Sequence, residues 1–272
     1  KNWSSMKQYK AEDHTFVICA YKESPYLEDC IRSVLHQNVQ GQICLTTSTP
    51  NQYITALAQK YQIPVFANPV SEGIAADWNF AVASAKTALV TLAHQDDLYE
   101  PSYTEKIIQA ANTCQDPIIL FSDYWELRGD QKSQSSSVVR VKHLMLLPLR
   151  IRCFWKNRFV RRRILSMGNA ICCPAVTLVR NAVPLPLFQN NMKSNIDWQA
   201  WELLSRQKGE FAYIAKPLMC HRIHEHSTTS ELLEVNGRQE EDLFMFRKFW
   251  PEPVARLISL LYKNSEKSNK SM

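Results

Sequence analysis

Through its first 121 residues the chain alternates short apolar runs with helix-length amphipathic stretches, and this rhythm restricts the fold more than any other feature. Thr15–Ala20, Ile43–Thr46, Pro64–Ala67, Ala88–Ala93 and Pro117–Phe121 are too short for helices and rich in strand-forming residues. Between them, helical patterns run from Ser24-Pro25 to about Leu35, from Ser48-Thr49-Pro50 to near Tyr61, over Ile74–Ala85, and from Pro101 to about Asn112. Ser24 suits an N-cap, and Pro25 the first helical position. Strands joined by crossover helices pair in parallel with right-handed connections. The expected class is α/β, with a mainly parallel central sheet.

Ligands of open α/β sheets gather where the strands end. The fourth run ends on His94-Gln95-Asp96-Asp97 before Leu98-Tyr99-Glu100-Pro101. Two adjacent acids at a strand end can hold a hard divalent cation, and the cation a diphosphate. The same acids could instead only complement the N-terminus of the helix at Pro101. Glycine narrows the choice. The six glycines, Gly41, Gly73, Gly129, Gly168, Gly209 and Gly237, are too dispersed for a G-x-G-x-x-G turn or a P-loop. A nucleotide would have to be held by a metal and side chains.

With 272 residues, 45% hydrophobic and 21% charged, the chain reads as globular, with a core for one large domain or two small ones. Eight cysteines show no C-x-x-C spacing and mostly lie in apolar runs, which argues against a zinc site or a disulfide framework. No signal peptide and no bilayer-length apolar run is visible, so the cytoplasm is the expected compartment. The net charge of +6 is concentrated. From Arg140 to Arg163 there are nine Lys or Arg residues and no acid, interleaved with Leu144, Leu147, Ile151, Phe154, Trp155 and Phe159. This segment fits either a peripheral surface for a membrane or anionic substrate, or a solvated face whose basic stems cover apolar surface. Nucleic acid is not expected, since no recognition motif accompanies the charge.

Beyond about Asp123 the regular pattern fades. A polar stretch from Asp130 to Ser137 precedes the basic segment. An amphipathic helix around Asp197–Lys208, a strand at Phe211–Ala215, the segment Leu218–Thr229 and a helical stretch Glu231–Lys263 follow.

Phe16-Val17-Ile18-Cys19-Ala20-Tyr21-Lys22-Glu23 and Leu27-Glu28-Asp29-Cys30-Ile31-Arg32-Ser33-Val34-Leu35-His36-Gln37 match the pattern V-I-I-P-x-Y-N-E … L-x-x-C-I-x-S-V-L-x-Q. Gly73 to Asn79, the Asp96-Asp97 region, Asp197-Trp198 and Arg222 to Ser227 then follow in order. Over roughly Thr15–Thr229 the chain thus resembles family 2 glycosyltransferases of the GT-A fold. The resemblance implies a Rossmann-like sandwich over 15–230, with a nucleotide-sugar half at about 15–123 and an acceptor half at about 124–230. Residues 1–14 would be an N-terminal extension and 231–272 a C-terminal helical extension and tail.

The resemblance implies a nucleotide-sugar donor, a UDP-sugar by frequency in the family. Ala20, Tyr21 and Glu23 fall where the family cradles the base. The acid-rich loop after the second strand is here Thr46-Thr47-Ser48-Thr49, so hydroxyls and backbone, with Thr47 and Ser48 foremost, would replace its carboxylate. His94 stands at the first acid of the D-x-D pattern and becomes a ribose contact, with Gln95 beside it. Asp96 becomes the ligand of Mn²⁺ or Mg²⁺, and Asp97 its support. Asn79 matches an Asn near the donor, while Trp78 is expected in the core.

Asp197 stands at the family's catalytic base, with Ile196 replacing the usual Glu. A helix N-terminus would lower its pKa and keep it ionised. It could also be no more than an N-cap. Trp198 and Asn169 are assigned to the acceptor side. Arg222 and His224 resemble Y-R-x-H-x-x-S-x-T; Arg222 would steady the diphosphate and His224 join the metal. If this segment is extended, Arg222, His224 and His226 share a face and His221 points away. The expected activity is inverting sugar transfer to a glycan or lipid-linked acceptor, in polysaccharide or glycoconjugate assembly, with peripheral contact to the inner membrane face through 140–163. A metal-dependent sugar nucleotidyltransferase and an inactive GT-A-like binding protein are the alternatives.

Overall fold

The structure is a computed structural model that describes residues 8–70, 72–224 and 237–270. The first half follows the rhythm of the sequence. Strands β1 (His14–Ala20), β2 (Gln42–Thr47), β3 (Val65–Ala67) and β4 (Leu89–His94) alternate with α1 (Leu27–Leu35), α2 (Gln52–Tyr61) and α3 (Ile74–Ser84). They lie in the order β3-β2-β1-β4, all parallel. The alignment is close: Ala20 pairs with Thr47 and Cys19 with His94, so three strands end at one level.

Helix starts differ from the expectation in detail. Ser24 accepts from the Tyr26 amide in a turn, and α1 begins only at Leu27. Asn51, rather than Ser48 or Thr49, caps α2 by accepting from the Ile54 amide at 2.9 Å.

The second half reverses direction repeatedly. It comprises β5 (Leu98–Tyr99), α4 (Tyr103–Ala111), β6 (Pro117–Arg128), β7 (Gln131–Ser133), α5 (Ser137–Leu146), α6 (Arg158–Leu165), β8 (Val176–Val179), α7 (Ile196–Ser205) and β9 (Glu210–Arg222). The sheet continues β4-β8-β6-β9-β5, with β8 and β5 antiparallel to their neighbours and β6 parallel to β9. The central sheet is mainly parallel, as expected, and β6 runs seven residues past Phe121. That extension was illegible because Asp123 and Glu126 interrupt the apolar run while remaining buried. Two final helices, α8 (Gly237–Arg247) and α9 (Glu252–Lys270), set Met245, Phe246 and Ala255 into the core. Among the described residues no helix is long and apolar enough to cross a membrane.

The basic segment divides. Arg161 is fully buried; it donates to the Gly209 carbonyl at 2.9 Å and the Gln207 carbonyl at 2.6 Å, and lies over the Phe211 ring. Burial lowers its pKa to about 10. Arg162 pairs with Glu202 at 2.6 Å, and Arg163 lies over Trp250. These three tie α6 to the end of α7 and to the C-terminal helices. Arg140, Arg150, Arg152, Lys156 and Arg158 stay exposed beside apolar residues, with Leu144 66% and Phe159 68% accessible, and Lys142 is half-buried. The segment thus divides into a part that ties helices together and a part that stays on the surface.

Candidate active site

The site begins where β4 stops. A turn closed by the Asp97 amide donating to the His94 carbonyl at 3.1 Å reverses the chain into β5. There Leu98 pairs with Cys220 and Tyr99 with Met219 of β9. This register brings residues 96 and 97 against 221 to 224. The Asp97 carboxylate, wholly buried, accepts from the Arg222 amide at 2.9 Å and lies 3.1 Å from His221 Nδ1. Arg222 Nε donates to the Asp96 carbonyl at 2.9 Å, and His224 Nε2 lies 3.0 Å from Asp96 Oδ2.

Helix α1 closes one side of this cluster. Tyr26 lies 4.4 Å from the Arg222 guanidinium and 4.8 Å from the His224 ring, while Asp29 approaches Arg222 at 3.8 Å. On the other side Trp78 stacks on His94, 5.1 Å between centroids and 19° between planes, with its edge against Phe188. Trp78, half-buried and packed against the core as expected, thus also forms a wall of the site.

His94, Asp96 and Asp97 offer ligand atoms that all lie within 4.8 Å of one another, enough for one cation. His94 Nε2 and Asp97 Oδ2 are buried without a hydrogen-bond partner, which is how a site looks when its polar atoms await a charge. The residues present therefore fit a divalent metal. Burial would raise the Asp96 pKa, but His94, the His224 hydrogen bond and His221 outweigh it and hold the group below the ordinary carboxylate value. Burial would lower His221, and Asp97 beside it raises it instead. His221 was missed because strand alternation turned it away, whereas the acids straddle the strand end and meet both faces.

The expected base-side residues meet at the aligned strand ends. Ala20 is buried, and Tyr21 is clamped by Gln95, whose side chain accepts from the Tyr21 amide at 2.9 Å and donates to its carbonyl at 3.0 Å. Lys22, at φ 54°, donates to Thr49 Oγ1 at 2.6 Å. Thr47 accepts from the Thr49 amide at 3.0 Å, and Glu23 is exposed. Ser48 Oγ donates to Asp77 at 2.8 Å, and Asn68 donates to the other Asp77 oxygen at 2.9 Å. A carboxylate from α3 thus stands beside the hydroxyl loop that lacks one of its own.

Asn79 does not offer its amide to this space. It donates to the Phe188 carbonyl at 2.7 Å and accepts from the Leu187 and Phe188 amides at 2.8 and 3.0 Å, pinning that loop instead. Trp198 also departs from its expected acceptor role. Only 1% accessible, it donates to the Leu165 carbonyl and packs against Phe246 and Phe249. A side chain at the next helical position from Asp197 points about 100° away, into the core.

Asp197, in the first turn of α7, accepts from the Asn169 side chain at 2.7 Å and from the Trp198 amide at 2.8 Å. Its charge is felt together with that of Asp97 at Cys172 and Cys173, and His94 in turn acts on Asp197. Asp197 and the His94–Asp97 turn therefore lie within electrostatic reach of one another. Burial raises the Asp197 pKa, against the Asn169 and Trp198 hydrogen bonds and Lys142, so the expected lowering by the helix terminus is overturned: desolvation wins. Ser227, Thr229 and His226 of the last motif lie outside the described residues.

The model of glycosyl transferase family 2 matches residues 15–181, from β1 to just past β8. The chain belongs to glycosyl transferase family 2. It is a glycosyltransferase. The family match includes the His94–Asp97 turn and ends before Asp197 and Arg222. No curated protein matches the sequence significantly. Solved structures share the fold of this glycosyltransferase at low identity. TarS 1-349 of S. aureus, in complex with UDP-GlcNAc, is similar at a TM-score of 0.62 and 13% identity, over 94% of this chain and 72% of that one. The mannosyltransferase PcManGT of Pyrobaculum calidifontis, with GDP-Man and Mn2+, gives 0.60 and 10%, over 92% and 68%. Glucosyl-3-phosphoglycerate synthase of Mycobacterium tuberculosis, with Mn2+, UDP and glucosyl-3-phosphoglycerate, gives 0.55 and 15%, over 88% and 80%.

Proposed function

We propose that this glycosyltransferase moves a sugar from a nucleoside-diphosphate donor to an acceptor hydroxyl with inversion at the anomeric carbon. One observation carries the reading: the metal-competent His94–Asp97 turn is held against Arg222 and His224, and the buried Asp197 carboxylate lies within electrostatic reach of His94. UDP is favoured, because the similar TarS and glucosyl-3-phosphoglycerate synthase are described with UDP or UDP-GlcNAc, although PcManGT is described with GDP-Man. Mn²⁺ or Mg²⁺ would be held by Asp96 with His94 and His224 in reach, and would neutralise the donor diphosphate. Asp97 orients this group through the Arg222 amide and His221.

Asp197 accepts the proton of the acceptor hydroxyl, whose oxygen forms the new bond to the anomeric carbon as the bond to the diphosphate breaks. A base raised by burial is stronger than an ordinary carboxylate, which suits it to an alcohol. Asn169 holds it in position. Arg222 stabilises the departing diphosphate by charge. Ala20, Tyr21, Glu23, Thr47 and Ser48 line the nucleoside end, Gln95 acting through Tyr21.

A glycan or lipid-linked acceptor, in polysaccharide or glycoconjugate assembly at the cytoplasmic membrane face, is the fuller form of this reading. Exposed Arg140, Arg152 and Arg158 beside Leu144, Leu147, Ile151 and Phe159 support a seat on anionic lipid.

The deciding measurement is donor hydrolysis and thermal stabilisation with UDP-sugars and GDP-sugars, with and without Mn²⁺. Stabilisation and turnover that require Mn²⁺ are expected, with Asp96→Ala reducing turnover about 10⁴-fold. Metal-independent turnover, or an active Asp96→Ala enzyme, would overturn the reading.

A further inference from the structure

Helix α7, which carries Asp197 in its first turn, does not fix its own beginning. Asn195, at its N-cap, makes no side-chain capping bond, and the chain leading into the helix is held from α8 instead. Glu241 Oε1 accepts from the Lys193 amide at 2.7 Å. Its Oε2 accepts from the Ser194 and Asn195 amides at 2.9 and 3.0 Å and from the Ser194 hydroxyl at 2.6 Å. The adjacent Asp242 accepts from the Asn195 side chain at 2.7 Å. Burial would raise the Glu241 pKa, but the Ser194 hydroxyl and the three amides outweigh it and hold the group below the ordinary carboxylate value. One charged carboxylate thus gathers three consecutive amides just ahead of the helix.

The other support of Asp197 is braced by α9. Asn169, which donates to Asp197, follows Gly168 at φ 145°. A Cβ at Gly168 would meet the Tyr262 ring at 3.2 Å, so that ring packs on bare backbone. Tyr262 meets Phe246 of α8 edge-on at 5.7 Å, and Phe246 meets Trp198 edge-on at 5.2 Å. Ring packing holds that side. At residues 193–195, by contrast, one side chain holds the backbone that leads to Asp197. Asn195 and Asp197 lie about 3 Å apart along the helix axis, so a shift of the first turn carries the Asp197 carboxylate with it.

We propose that Glu241 is a positioning residue for sugar transfer: its grip on residues 193–195 fixes the first turn of α7 and so keeps the Asp197 carboxylate on Asn169. This rests on the reading of Asp197 as the base. It makes α8, which lies beyond the residues matched by the family, a working part of the site.

A melting cycle at pH 7 tests the grip without any ligand, using wild type, Asp197→Asn, Glu241→Ala and the double variant. Asp197→Asn should raise the wild-type midpoint by about 2 °C or more, because the buried charge costs stability. In the Glu241→Ala background the same change should gain less than half as much, since a released carboxylate turns to water. Turnover is the second readout, followed as hydrolysis of UDP-glucose, UDP-GlcNAc and GDP-mannose with Mn²⁺. Glu241→Ala should lower kcat about 10²-fold with donor KM unchanged. Glu241→Gln keeps one acceptor oxygen and should recover kcat to within about tenfold of wild type. Arg161→Met, which weakens the fold beyond the other end of α7, should keep kcat.

Equal gains from Asp197→Asn in both backgrounds would overturn the proposal and leave Glu241 as a tie between helices. No gain in wild type would overturn it too, because Asp197 would then not be held away from water. So would wild-type kcat in Glu241→Ala, or an equal loss of kcat in Arg161→Met. If Glu241→Ala does not fold, Glu241→Gln takes its place in the cycle with the same expected direction. If Asp197→Asn keeps its turnover, the base reading falls, and the melting cycle still judges whether Glu241 holds that side chain.

Discussion

The two halves of the sheet reach the same cleft by different physical means. In the β3-β2-β1-β4 half, parallel pairing at fixed register delivers Ala20, Thr47 and His94 to one edge, so topology alone assembles them. In the β8-β6-β9-β5 half, directions alternate, and each side chain is brought in by a particular polar contact: Asn169 to Asp197, His221 and the Arg222 amide to Asp97. The first arrangement survives changes of side chain because backbone hydrogen bonds carry it. The second can be altered one contact at a time, which is where acceptor choice can change without loss of the fold.

Asp197 tests that contrast most severely. Asp197→Asn should lower transfer about 10³-fold, the usual scale for a lost general base, and leave donor-dependent thermal stabilisation intact. The pH dependence has a definite sign. Because the folded-state pKa is raised, activity should fall on acidification at a higher pH than an ordinary carboxylate would produce. The same shift means the charged form costs stability in the folded chain. Asp197→Asn should therefore melt above wild type near pH 7, with the gap closing as pH falls through the raised pKa. A variant that melts lower at pH 7 but keeps its activity would make Asp197 a helix cap and nothing more.

The parallel half was legible because its information is local: apolar runs, crossover lengths and a strand ending on Asp96-Asp97. The family resemblance added Asp197, Arg222 and His224, of which the structure brings Arg222 and His224 against Asp96 and sets Asp197 on Asn169. Residues that meet only through pairing were invisible. His221 reaches Asp97 across 124 positions, through the β5–β9 register. Trp198 was misassigned because adjacency to Asp197 in sequence says nothing about which helix face it shares. Lys142 was hidden among eight other basic residues, where charge alone could not separate a half-buried cation held on Tyr124 from a surface one.

The division within that basic segment supplies the next comparison. Arg161→Met should destabilise the protein by about 3 kcal/mol, because the Gly209 and Gln207 carbonyls lose their donors, while leaving any lipid binding of the folded protein unchanged. Arg140→Glu with Leu144→Gln, one turn apart on the exposed face of α5, should alter stability by no more than about 0.5 kcal/mol. That pair should instead abolish co-sedimentation with phosphatidylglycerol vesicles, and wild type should ignore phosphatidylcholine. Wild type that fails to sediment with anionic vesicles would leave the exposed half of the segment as a solvated surface.

The smallest expected effect concerns the one carboxylate that the parallel half borrows. The loop Thr46–Thr49 has hydroxyls where the family's loop carries acids, and Asp77 reaches it from α3 through Ser48 and Asn68. A hydroxyl held by a carboxylate accepts better from a nucleoside N–H, and the carboxylate itself can accept from a ribose hydroxyl. Asp77→Asn keeps the shape and removes the charge; donor affinity should fall about tenfold if Asp77 meets the nucleoside. Ser48→Ala leaves that charge in place and should cost about threefold or less. The order of the two effects is the discriminating result. A larger loss in Ser48→Ala would mean that the hydroxyls alone replaced the missing acid, and that Asp77 serves only to join α3 to the ends of β2 and β3.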